Sequence, residues 1–522
     1  MPMQSFKRSE LPFSGKLIEL FSEHQESLQP LIGLPFSTEN FGKQIELKSN
    51  FLEKSRTVLH QAIQNQYAEA KIKVPEKLTL LLENKCFTVC TGHQLNLFTG
   101  PLYTIYKIAH TIKLAQQVQE LHPDKHILPI FWLASEDHDL EEINHFHVGE
   151  KRVSWNTQQS GPVGEMKLEN WSDWQSELLA LFPSQKDKIK ELLEIYQGEN
   201  LSIATRRLVA HLFQDTDLII VDGNDVELKK LFVPSLEKEL KEQFSFHAAQ
   251  KSEAILAEKD LKSQAFAREI NLFHLSPGKR IRIEQSGNDY KIGEAIFGHQ
   301  ELLALLHQHP EQFSPNVMLR PLYQETILPN LCYVGGAGEL AYWLQLKHIF
   351  DAVGVPYPML QLRVSMQLMS HKDAQKMTKL GFDFPKFSDK KEHVLKEYLH
   401  KIRERQDASS VLQEHIEGLE KIMLEQAQSV DYTLLAAAKA ERVRMQKLLD
   451  NFLKKLERNE KRLHQEALSR LRILHEKNFP NDGLQERHEN FITFYLETQG
   501  QIIPQIIEDI NAFESDFWLN QI

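Results

Sequence analysis

The chain has 522 residues, 41% hydrophobic and 25% charged, which supplies a sizeable core and suits about three structural units. Disorder as the main theme is thereby excluded. Lys and Arg number 61 against 72 Asp and Glu, a net charge of −11, and this disfavours nucleic acid as the principal partner.

The longest apolar run, residues 127–134, is too short to span a membrane. Residues 1–10 lack the apolar stretch of a signal peptide. The three cysteines, Cys86, Cys90 and Cys332, make no disulfide framework and are expected to be buried thiols. These features together suggest a cytoplasmic protein with neither membrane nor nucleic acid as partner.

In chain order, residues 1–85 read mainly as helix. Cys86-Phe-Thr-Val-Cys90 is β-prone and runs into a Gly-containing turn at 91–100. Pro101 suits the first position of an amphipathic helix reaching about Leu121. The run 127–133 is a second buried strand, so the unit is β-α-β with parallel strands. Asp217-Leu-Ile-Ile-Val221 and Leu331-Cys-Tyr-Val334 run into polar loops in the same way. Four such units predict an α/β fold with a doubly wound parallel sheet, whose ligands bind beyond the carboxyl ends of the strands. Residues 1–385 form this core, with insertions near 150–215 and 235–320.

Pro385 and Pro480 bracket a stretch with no proline and one glycine, Gly418. Leu412, Ile416, Leu419 and Met423 follow a 4-3-4 spacing, repeated by Met445, Leu449, Phe452 and Leu456. The pattern predicts an antiparallel coiled-coil hairpin over 386–479 that turns near 427–431, with Asp431 capping the second arm. Its mixed charge reads as a solvated surface. A hairpin of this length needs a second copy to cover it, which predicts a homodimer. Residues 480–522 are expected to return to the core as a helical segment.

Four strand-end loops carry the groups suited to chemistry. The first holds Thr91, Gly92, His93, Gln94, Thr99, Gly100, Tyr103 and Lys107, a turn of the kind that holds a phosphate or carboxylate, although it is not a P-loop. The second is Ser135-Glu136-Asp137-His138-Asp139, followed by Glu141, Glu142, Asn144, His145 and His147. Its carboxylates can receive an amino group or Mg2+, and an imidazole can accept a proton. The third has Asp222 and Asn224, suited to a sugar hydroxyl or simply to shaping a turn. The fourth spans Arg320 and Gln324, then Gly335, Gly336, Gly338, Glu339 and Tyr342. No zinc motif matches the second loop, and no tightly bound metal is expected. Lys376-Met-Thr-Lys379 and His122-Pro-Asp124 are chance fragments of larger motifs.

The runs Thr91-Gly-His-Gln…Thr99-Gly-Pro-Leu-Tyr-Thr-Ile-Tyr-Lys107, Phe131-Trp-Leu-Ala-Ser-Glu-Asp-His-Asp139 and Arg320-Pro-Leu-Tyr-Gln324…Gly335-Gly-Ala-Gly-Glu339 resemble the bacillithiol biosynthesis cysteine-adding enzymes, the BshC family. The likeness extends to Gly483-Leu-Gln-Glu-Arg487 and departs at His93 and Ala337, where the family commonly has Gln and Pro. It implies a Rossmann-like core with connecting-peptide insertions and a dimerising coiled coil. It also implies a cysteine ligase that joins L-cysteine to the amine of glucosaminyl-malate.

Amide formation from a free carboxylate is uphill, so ATP, with Mg2+ as an optional companion, is the expected activator through an acyl-adenylate or acyl-phosphate. On this reading the 91–100 and 335–338 turns hold the nucleotide. Glu136, Asp137 and Asp139 receive the amino group, and His138 is the general base. Lys107, Arg320 and Arg363 meet the malate carboxylates. A metal-dependent hydrolase using the 136–139 loop and a non-catalytic coiled-coil adaptor are the alternatives.

Overall fold

The computed structural model describes residues 3–403 and 409–522 and divides into two compact units, one of residues 1–368 with 485–520 and 522, the other of 369–484 with 521. The first arm of the expected hairpin crosses 404–408, which lie outside the described residues.

The first unit is built on five parallel strands: β1 (Cys86–His93), β2 (His126–Leu133), β3 (Ile219–Asp222), β4 (Asn330–Gly335) and β5 (Met359–Leu362). Their order across the sheet is β5-β4-β1-β2-β3. The pairing Cys86↔His126 through His93↔Leu133 is unbroken, and Leu133↔Asp222 and Gly335↔Leu362 align the remaining ends. Seven of the eight residues of β1 and all of β4 are buried, as expected for strands covered on both faces. The chain reverses its direction of winding between β1 and β4. Their carboxyl ends therefore open a crevice, the place where doubly wound sheets bind ligands.

Helix α1 (Tyr103–Leu121) makes the crossover from β1 to β2, burying Ile105, Ile108, Ala109 and Ile112. Pro101 does not open it. Pro101 forms an isolated bridge with Asn490, and the helix begins two residues later. Helix α2 (Val226–Glu242) follows β3, with Asp225 Oδ1 accepting from the N–H of Glu227 at 2.9 Å and of Leu228 at 3.1 Å. Helix α3 (Arg320–Ile327) precedes β4 and α4 (Ala337–Trp343) follows it. The helix expected to reach about Phe350 is broken in two, with a second piece at Lys347–Val353.

The 150–215 stretch holds a strand, Lys151–Ser154, that pairs with His145–Val148, and then three helices, Trp171–Leu181, Lys186–Ile195 and Leu201–Leu212. The second insertion contains something the sequence reading did not anticipate, a five-stranded antiparallel sheet of short strands between Leu272 and Pro315. The C-terminal stretch is not only helical. It ends in a strand, Phe517–Gln521, whose Phe517, Trp518 and Leu519 pair with Gln4–Phe6.

The second unit contains α5 (Lys391–Arg403), α6 (Ser409–Val430), α7 (Leu435–Leu463) and α8 (Gln465–Asn478). Asp431 Oδ1 accepts the Thr433 N–H at 2.9 Å at the turn between α6 and α7. Those two helices share a reciprocal amide pair, Gln413 with Gln446 at 3.1 Å, and an Arg442–Glu420 ion pair at 3.3 Å. Leu449 is buried in the seam, whereas Leu419 and Phe452 remain 48% and 51% exposed.

Candidate functional site

The crevice between β1 and β4 is densely charged. Lys107, on the second turn of α1, is fully buried, and its ammonium donates to the Gly92 carbonyl and to Glu339 Oε1 and Oε2 at 2.7 and 2.9 Å. Glu339 also accepts from the Tyr333 hydroxyl at 2.8 Å and from the Gly336 N–H at 3.3 Å. Burial alone would raise the Glu339 carboxyl; Lys107 outweighs it and holds the group below its ordinary value. Arg363, just past β5, is held by Glu486 at 2.6 Å and lies over the Tyr103 ring at 5.1 Å.

His93 packs edge-on to Tyr103, with ring centroids 5.3 Å apart. Burial, and then the Lys107 charge, push its imidazole down to about 3, so it stays neutral. Its Nε2 is buried without a hydrogen-bond partner. Arg320 donates to Gln324 Oε1 at 3.1 Å and to the Tyr342 hydroxyl at 3.4 Å. Among the described residues no carboxylate ion-pairs with it. Lys107 and Arg363 are thus neutralised within the protein, whereas Arg320 keeps a charge to offer.

One residue along from His93, Gln94 turns to the second loop. Its Nε2 donates to Asp137 Oδ2 at 2.7 Å and to Glu142 Oε2 at 2.9 Å. Burial would raise the Asp137 carboxyl, but hydrogen bonds from His138 and Gln94, aided by the Arg280 charge, hold it well below the usual carboxylate range. Arg280 reaches in from the antiparallel sheet, stacks on Phe273 at 4.1 Å and donates to His138 Nδ1 at 3.1 Å.

A guanidinium can only donate, so in that contact Nδ1 is the acceptor. The same Nδ1 stands 3.6 Å from Asp137 Oδ1, so the ring lies between the Arg280 guanidinium and that carboxylate. Glu136 is likewise occupied, paired with the buried Lys229 at 2.6 Å. Asp139 is exposed and caps the short helix Leu140–Ile143.

Several other expected ligand residues serve the fold. Thr91 Oγ1 donates to the Val334 carbonyl inside the sheet at 2.7 Å. Asp222 accepts from the hydroxyls of Ser135 and Ser202 and from the Asn224 N–H. Asn224 is spent on Glu165 and Lys229, Asn144 on His145, and Gln324 on Glu325.

Part of the backbone of the 91–100 turn is held by internal hydrogen bonds, at Asn96, Phe98 and Gly100 and at Leu102 just beyond it. Their N–H groups bond in turn to the Gln94 carbonyl, the Tyr196 hydroxyl and the Leu97 and Glu489 carbonyls. The turn depends on Gly100, at φ +63°, where a Cβ would stand 2.5 Å from Asn96 Cβ. Thr99 and Thr104 nonetheless keep buried hydroxyls without partners. Gly338 has open space where a Cβ would be. Among the described residues no three His, Cys, Asp or Glu side chains are gathered so as to hold a metal.

The family model described as "Bacillithiol biosynthesis BshC, N-terminal Rossmann-like domain" matches residues 1–364, and its "C-terminal coiled-coil domain" counterpart matches 366–522. The chain belongs to the BshC family. A relative from Flavobacterium johnsoniae is 36% identical over 99% of both chains. One from Flavobacterium psychrophilum is 37% identical over 99% of both. One from Cytophaga hutchinsonii is 33% identical over 96% of this chain and 95% of its own. Each carries the name "Putative cysteine ligase BshC". No described helix is long and apolar enough to cross a membrane.

Sequence reasoning missed four groups of this BshC family member's site: Arg280, Lys229, Glu486 and Asn490. Asn490 Nδ2 donates to the carbonyls of Phe98 at 2.9 Å and Gly100 at 2.7 Å, shaping the turn from almost 400 residues away. Only the 483–487 motif marked this region in the sequence, and it suggested no role.

Proposed function

We propose that this chain is a ligase that joins L-cysteine to the amine of glucosaminyl-malate by an amide bond, with ATP activating the cysteine carboxylate. The observation that carries the reading is the pair of carboxylates, Asp137 and Glu142, held together by one Gln94 amide beside the crevice where Arg320 lacks an acidic partner. The carboxylates suit an ammonium group and the guanidinium suits a phosphate or carboxylate. An amino acid, an amino sugar acid and a nucleotide are substrates of that polarity.

Side chains at this rim support a nucleotide reading. Arg320 would take an anionic group, the orphan hydroxyls of Thr99 and Thr104 offer polar partners, and the open edge at Gly338 allows close approach. Bound there, ATP would supply the activation that a free carboxylate lacks. Asp137, kept ionised, orients the incoming amine. The exposed Glu142 receives its surplus proton and passes it to water. His138 donates from Nε2 to an oxygen of the acceptor. The partly uncovered seam of the hairpin supports a homodimer, and the family supports a cytoplasmic pathway enzyme.

Incubating the purified chain with glucosaminyl-malate, cysteine and ATP, with an ATP-free parallel, tests the reading by mass spectrometry of the thiol product. The expected result is an ATP-dependent condensation product, with Asp137→Asn about 100-fold slower. Product without ATP, or a fully active D137N, would overturn it.

A further inference from the structure

Arg280 lies on the strand Lys279–Ser286, which pairs with Leu272–Ser276, and that strand pairs in turn with Phe313–Pro315. Its guanidinium spans all three. It stacks over the Phe273 ring at 4.1 Å, Nε and Nη2 donate to Ser314 Oγ at 3.3 Å, and Nη2 also donates to the Pro315 carbonyl at 3.1 Å. These contacts fix the plane of the fork from within the antiparallel sheet. The remaining arm, Nη1, leaves that sheet and donates to His138 Nδ1 at 3.1 Å, across 142 positions of the chain.

The His138 ring has little else to hold it. Its side chain is 48% exposed, it lies tilted against Phe273 with centroids 5.8 Å apart, and its Nδ1 stands 3.6 Å from Asp137 Oδ1. The neighbouring carboxylates of the loop are turned elsewhere, Glu136 to Lys229 and Asp139 to the Glu142 N–H. An imidazole on a loop surface keeps its rotamer freedom unless a rigid group outside the loop grips it. Arg280 and Phe273 are that grip, and both belong to the antiparallel sheet.

A merely structural strut would be built otherwise. A guanidinium and an imidazole carry like charge whenever the ring is protonated, and burial disfavours the Arg280 charge. A carboxylate facing Arg280 would brace the loop better. What an imidazole adds at that place is chemistry, because it presents a second ring nitrogen beside a carboxylate, where the proposed function puts the acceptor.

We propose that Arg280 is a positioning residue of this site, holding the His138 ring next to Asp137 so that the two act on the acceptor together. The inference rests on the proposed function for the identity of that acceptor.

Steady-state condensation of cysteine with glucosaminyl-malate in the presence of ATP is measured for full-length wild type, Arg280→Gln, His138→Asn and the double variant. R280Q is expected to lower kcat about tenfold with KM for the amino sugar within about twofold, the mark of a displaced group rather than a lost binding contact. In the H138N background the same change is expected to cost less than about twofold, because Arg280 then has nothing to position. Arg280→Lys, which keeps the charge without the fork, is expected to behave as R280Q. Losses that add in the double variant, or an R280K at wild-type rate, would overturn the inference. Histidine-selective NMR of the ligand-free chain decides the same point without turnover. The imidazole signal missing from H138N is expected to shift in R280Q, and an unmoved signal overturns the inference. If wild type forms no product, the proposed function falls, while the NMR result still decides the role of Arg280.

Discussion

Glu486→Gln is the most informative single change. It preserves shape and removes the charge that balances Arg363, whose side chain is 9% exposed against 1% for Glu486. The carboxylate accepts three hydrogen bonds, from Arg363, Ser365 and the Met366 N–H. An amide has one accepting oxygen, and its NH2 faces donors. Removing one partner of a buried pair costs about 3–5 kcal/mol, because the other charge is left uncompensated, which lowers the melting midpoint by on the order of 3 to 6 °C.

The pH dependence follows from the same geometry. Burial would raise the Glu486 carboxyl, but Arg363 and the two other donors hold it below its ordinary value of 4.5. A depressed carboxyl contributes its stability above the unfolded value and loses it as pH falls through the folded one. Wild type should therefore lose stability below about pH 4.5, more steeply than E486Q. Urea midpoints for both proteins between pH 3 and 7 measure this. A variant within about 0.5 kcal/mol of wild type at pH 7, or one with the same acid slope, would refute the reasoning.

Two further outcomes follow. Asn490→Ala strips partners from two buried carbonyls, at Phe98 and Gly100, and should destabilise the chain by about 2 kcal/mol in urea, with faster amide exchange confined to the 97–102 turn and its neighbours. Burial pushes the Cys86 thiol up to about 12 and those of Cys90 and Cys332 well above their ordinary value. No thiol should react with an aromatic disulfide reagent in the native protein, and all three should react after denaturation.

Local pattern carried the secondary structure of the core well. Cys86-Phe-Thr-Val-Cys90 and the run at 127–133 are apolar on both faces, and such strands need a parallel sheet with helices above and below. The four polar loops were legible because polar groups directly after a buried strand can only lie at its end. The antiparallel sheet at 272–315 was not legible, since its strands are polar and largely exposed, as Lys279–Ser286 and Ala295–Phe297 show, and leave no buried face to read.

What the sequence by itself determined is the doubly wound order of elements, the helical hairpin and the identity of the strand-end loops, all of which follow from periodicity over a few consecutive residues. Tertiary structure alone decided which charges are free. Lys107 and Arg363 looked available but are neutralised by Glu339 and Glu486, and Asp222 is consumed by two serines. Pairing between residues 100 or more positions apart depends on how the chain folds back on itself, and no local pattern encodes it. That Arg320 meets an amide and a hydroxyl rather than a carboxylate is therefore visible only in the folded chain.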